Sequence, residues 1–157
     1  LEHFIQVYGY PSNHFNPPGG REHKAIHSFL YNNGVEFLDA PFIKTEHQGD
    51  GRYRKILNWT GKKNQNNQIY FVRNAVFEPT ALGNQSWVNF TMKQIEAAFH
   101  MHRPAIISSH RVNFCGHIDE SNRKLGLEYL PELLKRIIVK WPDVEFISSA
   151  RLGEITR

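Results

Sequence analysis

Cysteine is almost absent: Cys115 is the only one in 157 residues. That excludes an internal disulfide framework and any cysteine-based zinc site. Its neighbours Phe114 and Gly116 suggest a small packed residue rather than a nucleophile. No apolar run approaches the ~18 residues of a membrane span, so none is expected. There is no glycine-rich phosphate loop of the P-loop or dinucleotide kind. GNQS at residues 83–86 does not form a nucleophile elbow. The opening LEHFIQVYGY carries no signal-peptide pattern and reads like the middle of something, so the compartment stays open. Neither a repeat nor a break in composition divides the chain, which predicts one domain over 1–157 with one sizeable core. Nothing in the sequence sets the oligomeric state.

Charge of one sign is also scarce. Nineteen Lys and Arg face fifteen Asp and Glu, a net charge of +4. The densest basic patch is Arg52, Arg54, Lys55, Lys62 and Lys63, in a Gly- and Asn-rich stretch that reads as an exposed hairpin or loop. No recognised module or continuous basic face accompanies it, so no nucleic-acid partner is expected.

What is present alternates between strand and helix patterns. Leu1 to Tyr8 reads as the tail of a helix, and NPPGG at residues 16–20 as a tight loop after a short extended segment at Phe15. Arg21 to Asn33 has an apolar stripe and ends at Asn33-Gly34, a helix stop. Val35 to Leu38 predicts a strand. Asp39 to Gln68 predicts a long polar excursion with a hairpin around Tyr53 to Trp59. Ile69 to Val72 predicts another buried strand. From Asn84 to Val88 the chain turns into a helix reaching about His102, with Thr91 or Asn89 as cap. A second helix starts at Asp119 or Ser121, places Pro131 in a first turn or a kink, and ends at Trp141-Pro142. Val144 to Ile147 predicts the last strand, and Ser148 to Arg157 returns toward a helix. This order predicts an α/β fold with a mostly parallel sheet, strands 35–38, 69–72, 105–109 and 144–147 being neighbours.

The stretch that organises the rest is PAIISSHRVNFCG, residues 104–116. Its unbroken apolar run reads as a strand buried on both faces. Ser108, Ser109, His110, Arg111 and Asn113 then gather at its carboxyl end, where α/β folds place their chemistry. His110 is the first candidate; the alternative is a histidine that satisfies backbone groups where strand becomes loop.

Most of the nine histidines make poor metal ligands. His100 and His102 would lie about 200° apart on a helix and cannot share an ion. His23 and His27 would share a face, but no carboxylate completes a site, and they read as solvated or half-buried residues. His117 lies beyond the Gly116 turn and can approach His110, though no spacing fixes that.

Together these segments resemble the carboxyl-terminal half of the polysaccharide deacetylase (NodB-homology) family. Phe15-Asn16-Pro17-Pro18-Gly19-Gly20 corresponds to that family's R-P-P-aromatic-G loop, and NQSW with Trp87 to a D/N-rich turn ending in Trp. PAIISSH corresponds to a buried strand ending in His. GLEYLPELLKRI and WPDVEFISS correspond to the last helix and strand. The resemblance covers nearly the whole chain, most specifically residues 103–153. It implies an irregular seven-stranded (β/α) barrel and an esterase that removes acetyl groups from N- or O-acetylated glycans. It also implies a divalent metal, zinc or similar.

The chain departs from the family pattern in four places. The paired aspartates and the metal-binding H-x-x-x-H motif lie before R-P-P in the family, where this chain has almost nothing; HKAIH, residues 23–27, has the spacing but comes after the proline loop. Asn16 stands at the place of an arginine that orients the base. Gly19 replaces an aromatic, and the Asp before the Trp is missing. These departures imply either a fragment without its amino-terminal half-barrel or a divergent branch, and no metal ligand is assigned here.

Deacetylation needs activated water, a base, and an acid for the leaving amine. The resemblance gives the acid to His110 and puts the backbone N–H of Gly19 at the oxyanion-stabilising position. It sets Trp87 in the sugar subsite, against core packing as the alternative. Arg111 and Asn113 either bond substrate hydroxyls or brace the loop. The expected partner is an acetylated glycan. The competing class is a non-catalytic glycan-binding or structural domain that keeps the barrel. A glycoside hydrolase would need two carboxylates facing one cleft, and no spacing pairs Asp39, Glu78, Asp119 and Glu145.

Overall fold

The structure is a computed structural model and describes residues 2–81 and 86–157. In chain order it contains α1 (Glu2–Tyr8), β1 (His14–Phe15), α2 (His27–Asn32), β2 (Phe37–Asp39), β3 (Ile43–Gly49), β4 (Arg52–Leu57) and β5 (Ile69–Phe71). Then follow β6 (Ala75–Val76), α3 (Trp87–His100), β7 (Ile107–Ser108), α4 (Glu120–Lys140) and α5 (Ser149–Thr156). The chain forms two compact units, one of residues up to Val72 together with Ile147–Arg157, the other of Arg73–Phe146.

In the first unit β1, β2 and β5 form a parallel sheet in the order β1-β2-β5. β2 and β5 are buried along their whole length, as their unbroken apolar runs predict. The rings of Phe37 and Phe71 stack across the two strands with centroids 5.5 Å apart. α5 is capped by Ser148, whose hydroxyl accepts the Arg151 N–H. It lies so close to β2 that a side chain at Gly153 would overlap the Phe37 ring. The expected hairpin is β3–β4, antiparallel, with a bulge between His47 and Gly49.

In the second unit β6 and β7 pair in parallel, joined through α3 in a strand–helix–strand unit. Ala75, Phe77, Val88, Met92, Ile95, Leu133 and Ile137 form its core. The 3.6-residue periodicity of α3 and α4 puts Met92, Ile95, Leu133 and Ile137 on inward faces. Asp119 caps α4, its carboxylate accepting the Ser121 N–H at 2.9 Å. Thr91 is no cap. It is buried inside α3, and its hydroxyl reaches the Val76 carbonyl at 2.7 Å. Ser86 stands at the N-cap, and the expected turn at residues 84 and 85 lies outside the described residues. Pro131 sits inside α4, not in its first turn.

Two expectations about strands need correcting. The strands do not form one sheet: β2 and β5 pair with β1, whereas β7 pairs with β6. Residues 144–147 form no strand among the described residues, because the Val144 N–H turns back to the Trp141 carbonyl at 3.0 Å and closes the end of α4. The fold is mixed α/β with short parallel sheets, and no sheet closes into a barrel among the described residues.

Candidate functional site

β6 and β7 run in register, with Ala75 opposite Ile107 and Val76 opposite Ser108. Two residues past the ladder, the same offset sets Glu78 opposite His110. The Nδ1–H of His110 donates to Glu78 Oε1 at 2.7 Å, and the His110 backbone N–H donates to the same oxygen at 3.1 Å. A carboxylate only accepts, so the proton sits on Nδ1 and Nε2 is turned away from Glu78. The two side chains differ sharply in exposure, 75% for His110 against 15% for Glu78. The imidazole is thus anchored on its inner edge and open on its outer one.

A 3-10 turn at Arg111–Asn113 follows. Asn113 is fully buried. Its amide nitrogen donates to Glu78 Oε2 at 2.7 Å, with Ser109 Oγ and the His110 carbonyl also in reach at 3.1 and 2.9 Å. Its amide oxygen accepts the Thr80 hydroxyl at 2.7 Å and the Thr80 N–H at 3.3 Å. Both oxygens of Glu78 and both ends of the Asn113 amide are therefore spoken for, which fixes the orientation of each. The Ser109 hydroxyl completes the brace by donating to the Phe77 carbonyl at 2.6 Å.

The turn rests on α4 through Gly126. A side chain there would overlap the Asn113 carbonyl and crowd the Phe114 ring. Gly126→Ala is expected to cost about 1–3 kcal/mol, the usual range for overpacking, and to loosen the His110 turn. Urea unfolding checks the cost, and amide exchange at residues 110–114 checks the loosening.

The remaining candidates are placed as follows. Arg111 is exposed at the start of the turn. Asn113, expected either to bond substrate or to brace the loop, braces the loop. Trp87 is half-buried at the first residue of α3, packed against the core with its ring edge-on to Phe90 at 5.8 Å. Its Nε1 is buried and has no partner among the described residues. Gly19 belongs to the first unit and has a left-handed backbone with φ of 60°. The bonds of its turn are made by the N–H groups of Gly20 and Arg21, to the carbonyls of Pro17 and Pro18. His117 is exposed.

No cluster of three or more His, Cys, Asp or Glu suited to a metal ion occurs among the described residues. His23 and His27 do not act as a pair. His27 is buried with Nε2 on Glu22 Oε1 at 2.9 Å, while His23 Nδ1 accepts the Ala25 N–H at 3.2 Å. The described residues do not supply the ligand set that the metal implied by the resemblance would need.

Sequence reasoning missed Glu78 as a partner of His110 because it weighed that residue only against other carboxylates. The signal lay in the two strand ends, where Phe77-Glu78-Pro79 and Ser109-His110 each follow a short apolar run. It also missed a second pair, His14 Nε2 with Asp39 Oδ1 at 3.0 Å, between the first residue of β1 and the last of β2. Compared with known proteins, the chain matches no family model, no curated protein and no solved structure. Fold and site define a mixed α/β protein with a histidine–carboxylate pair at the end of a parallel strand pair.

Proposed function

We propose that the chain is part of a carbohydrate deacetylase-like hydrolase in which His110 is the general acid. The observation that carries this reading is the Glu78–His110 pair, with Nδ1 held by a carboxylate and Nε2 turned to solvent. Water adds to the acetyl carbonyl carbon and gives up a proton to solvent, the bond from that carbon to the sugar nitrogen breaks, and the nitrogen takes the proton from Nε2 of His110, which leaves acetic acid and the free amine. The Glu78 carboxylate stabilises the imidazolium before transfer and keeps the ring in place after it. Glu78 and Asn113 are positioning residues. Arg111 offers a guanidinium to substrate hydroxyls and Trp87 a flat face to a sugar ring. The divalent metal implied by the resemblance belongs to the reading without an assigned ligand, and no step is derived through it. In this reading the parallel strand groups are parts of an irregular seven-stranded (β/α) barrel.

Acetate release from an N-acetylated chito-oligosaccharide by the full-length protein tests the proposal. Turnover that depends on His110 supports it. Binding of the oligosaccharide with no acetate release would leave the non-catalytic glycan-binding domain in its place.

A further inference from the structure

The first unit holds a cavity of about 650 Å³ between the hairpin and α2, within the usual range for small-ligand sites. Its floor is charged and buried. The Lys44 ammonium pairs with Glu22 and with Glu46, the latter at 3.4 Å, and Glu22 also receives His27 at 2.9 Å. The three side chains Lys44, Glu22 and Glu46 are 5%, 2% and 3% exposed. Burial works against ionisation of Glu22 and Glu46. The hydrogen bonds and positive charges around them outweigh it and hold both carboxyls below the ordinary range. Burial first, and then the charge of Glu22, push the Tyr70 phenol up to about 12, so it stays a donor.

The rim is different. The pleat of the hairpin splits the basic patch, sending Arg54 to the cavity face with Lys44 and Glu46, and Lys55 to the other face. Lys24, Arg54 and Lys63 line the cavity without a carboxylate partner among the described residues. Lys62 joins them, its ammonium on two neutral oxygens, the Leu57 carbonyl at 2.6 Å and Asn58 Oδ1 at 3.2 Å. Lys44 is shared between Glu22 and Glu46 on the floor, and the rim carries four cations that make no ion pair among the described residues. Ser28, Gln65 and Asn66 add hydroxyl and amide groups to the lining.

We infer that this cavity binds an anionic, sugar-sized ligand, its phosphate or carboxylate held by Lys24, Arg54, Lys62 and Lys63 and its hydroxyls by Ser28, Gln65 and Asn66. Guanidinium and ammonium groups set in a concavity suit a compact anion, and the amides suit a polyhydroxylated body. A long polyanion would instead call for a continuous basic stripe, which the pleat interrupts. The site belongs to the first unit and does not depend on the hydrolase reading.

Calorimetric titration of the full chain at low ionic strength with glucose 6-phosphate, glucuronate, inorganic phosphate and glucose tests the inference. At least one of the two anionic sugars is expected to bind more tightly than inorganic phosphate, and glucose not at all. The tighter of the two identifies the anion. Arg54→Gln and Lys63→Gln, both at exposed positions, are each expected to weaken that binding about tenfold or more, as loss of a charge-assisted hydrogen bond does. Lys93→Gln, in the second unit, is the control and is expected to change nothing. The inference is overturned if neither anionic sugar binds, if glucose binds equally well, or if Arg54→Gln and Lys63→Gln bind like the control. Tighter binding of a single-stranded RNA than of both anionic sugars overturns it too.

Discussion

Replacing His110 with alanine is expected to lower acetate release from an N-acetylated oligosaccharide by about 10²–10⁴-fold, the usual contribution of a positioned acid. The protein should stay folded, because the side chain is 75% exposed and its removal opens no cavity. Turnover should fall with little change in substrate affinity, since the proton moves only in the transition state. His110→Asn separates shape from proton transfer: it keeps a polar group that can reach Glu78 but carries no transferable proton. If either variant kept near-full turnover, His110 would be a loop residue and the acid would lie elsewhere, His117 being the next candidate in its neighbourhood.

Glu22→Gln is expected to destabilise the protein by about 3–5 kcal/mol, the cost of breaking a buried ion pair from one side. The variant leaves Lys44 with Glu46 alone and takes the anion from His27. The same network sets the response to acid. Glu22 and Glu46 titrate below their ordinary value of 4.5 in the folded chain, so they bind fewer protons folded than unfolded. Their stabilisation is therefore fully present above about pH 4.5 and drains away as pH falls through the depressed values. Urea unfolding followed from pH 7 to pH 3 should show this decline, and Glu22→Gln should flatten it. A variant as stable as the parent at pH 7, or one with an unchanged acid slope, would contradict the network as described.

Much of the local structure was legible in the sequence, and the site only by halves. Met92, Ile95, Leu133 and Ile137 announce two helices because one element buries its own periodic face. His110 stood out because a polar cluster ends an apolar run. Its partner Glu78 did not, because that pairing depends on the register between strands 32 residues apart. The Val144 to Ile147 run predicted a strand because apolar content reports burial, while pairing needs a neighbour that the sequence does not name. Likewise the spacing of His23 and His27 suggested a shared helix face. Instead, Lys44 and Glu46 arrive from the hairpin and close around Glu22, which His27 already contacts. The basic patch read as an exposed hairpin or loop, and the division of Arg54 and Lys55 between its two faces follows from the register with β3.

The central claim is that Glu78 holds the Nδ1–H of His110, so that Nε2 is the nitrogen that takes up and gives away the transferred proton, and the ring nitrogens report this directly. Glutamine at position 78 would have to aim its NH₂ either at the two His110 donors or at the Asn113 amide. The latter cannot flip without losing Thr80. Long-range ¹H–¹⁵N correlation spectra of the neutral imidazole should therefore show a protonated Nδ1 and a bare Nε2 in the parent chain, and loss of that bias in Glu78→Gln. A neutral parent imidazole protonated at Nε2, or the same tautomer in both proteins, would contradict the account.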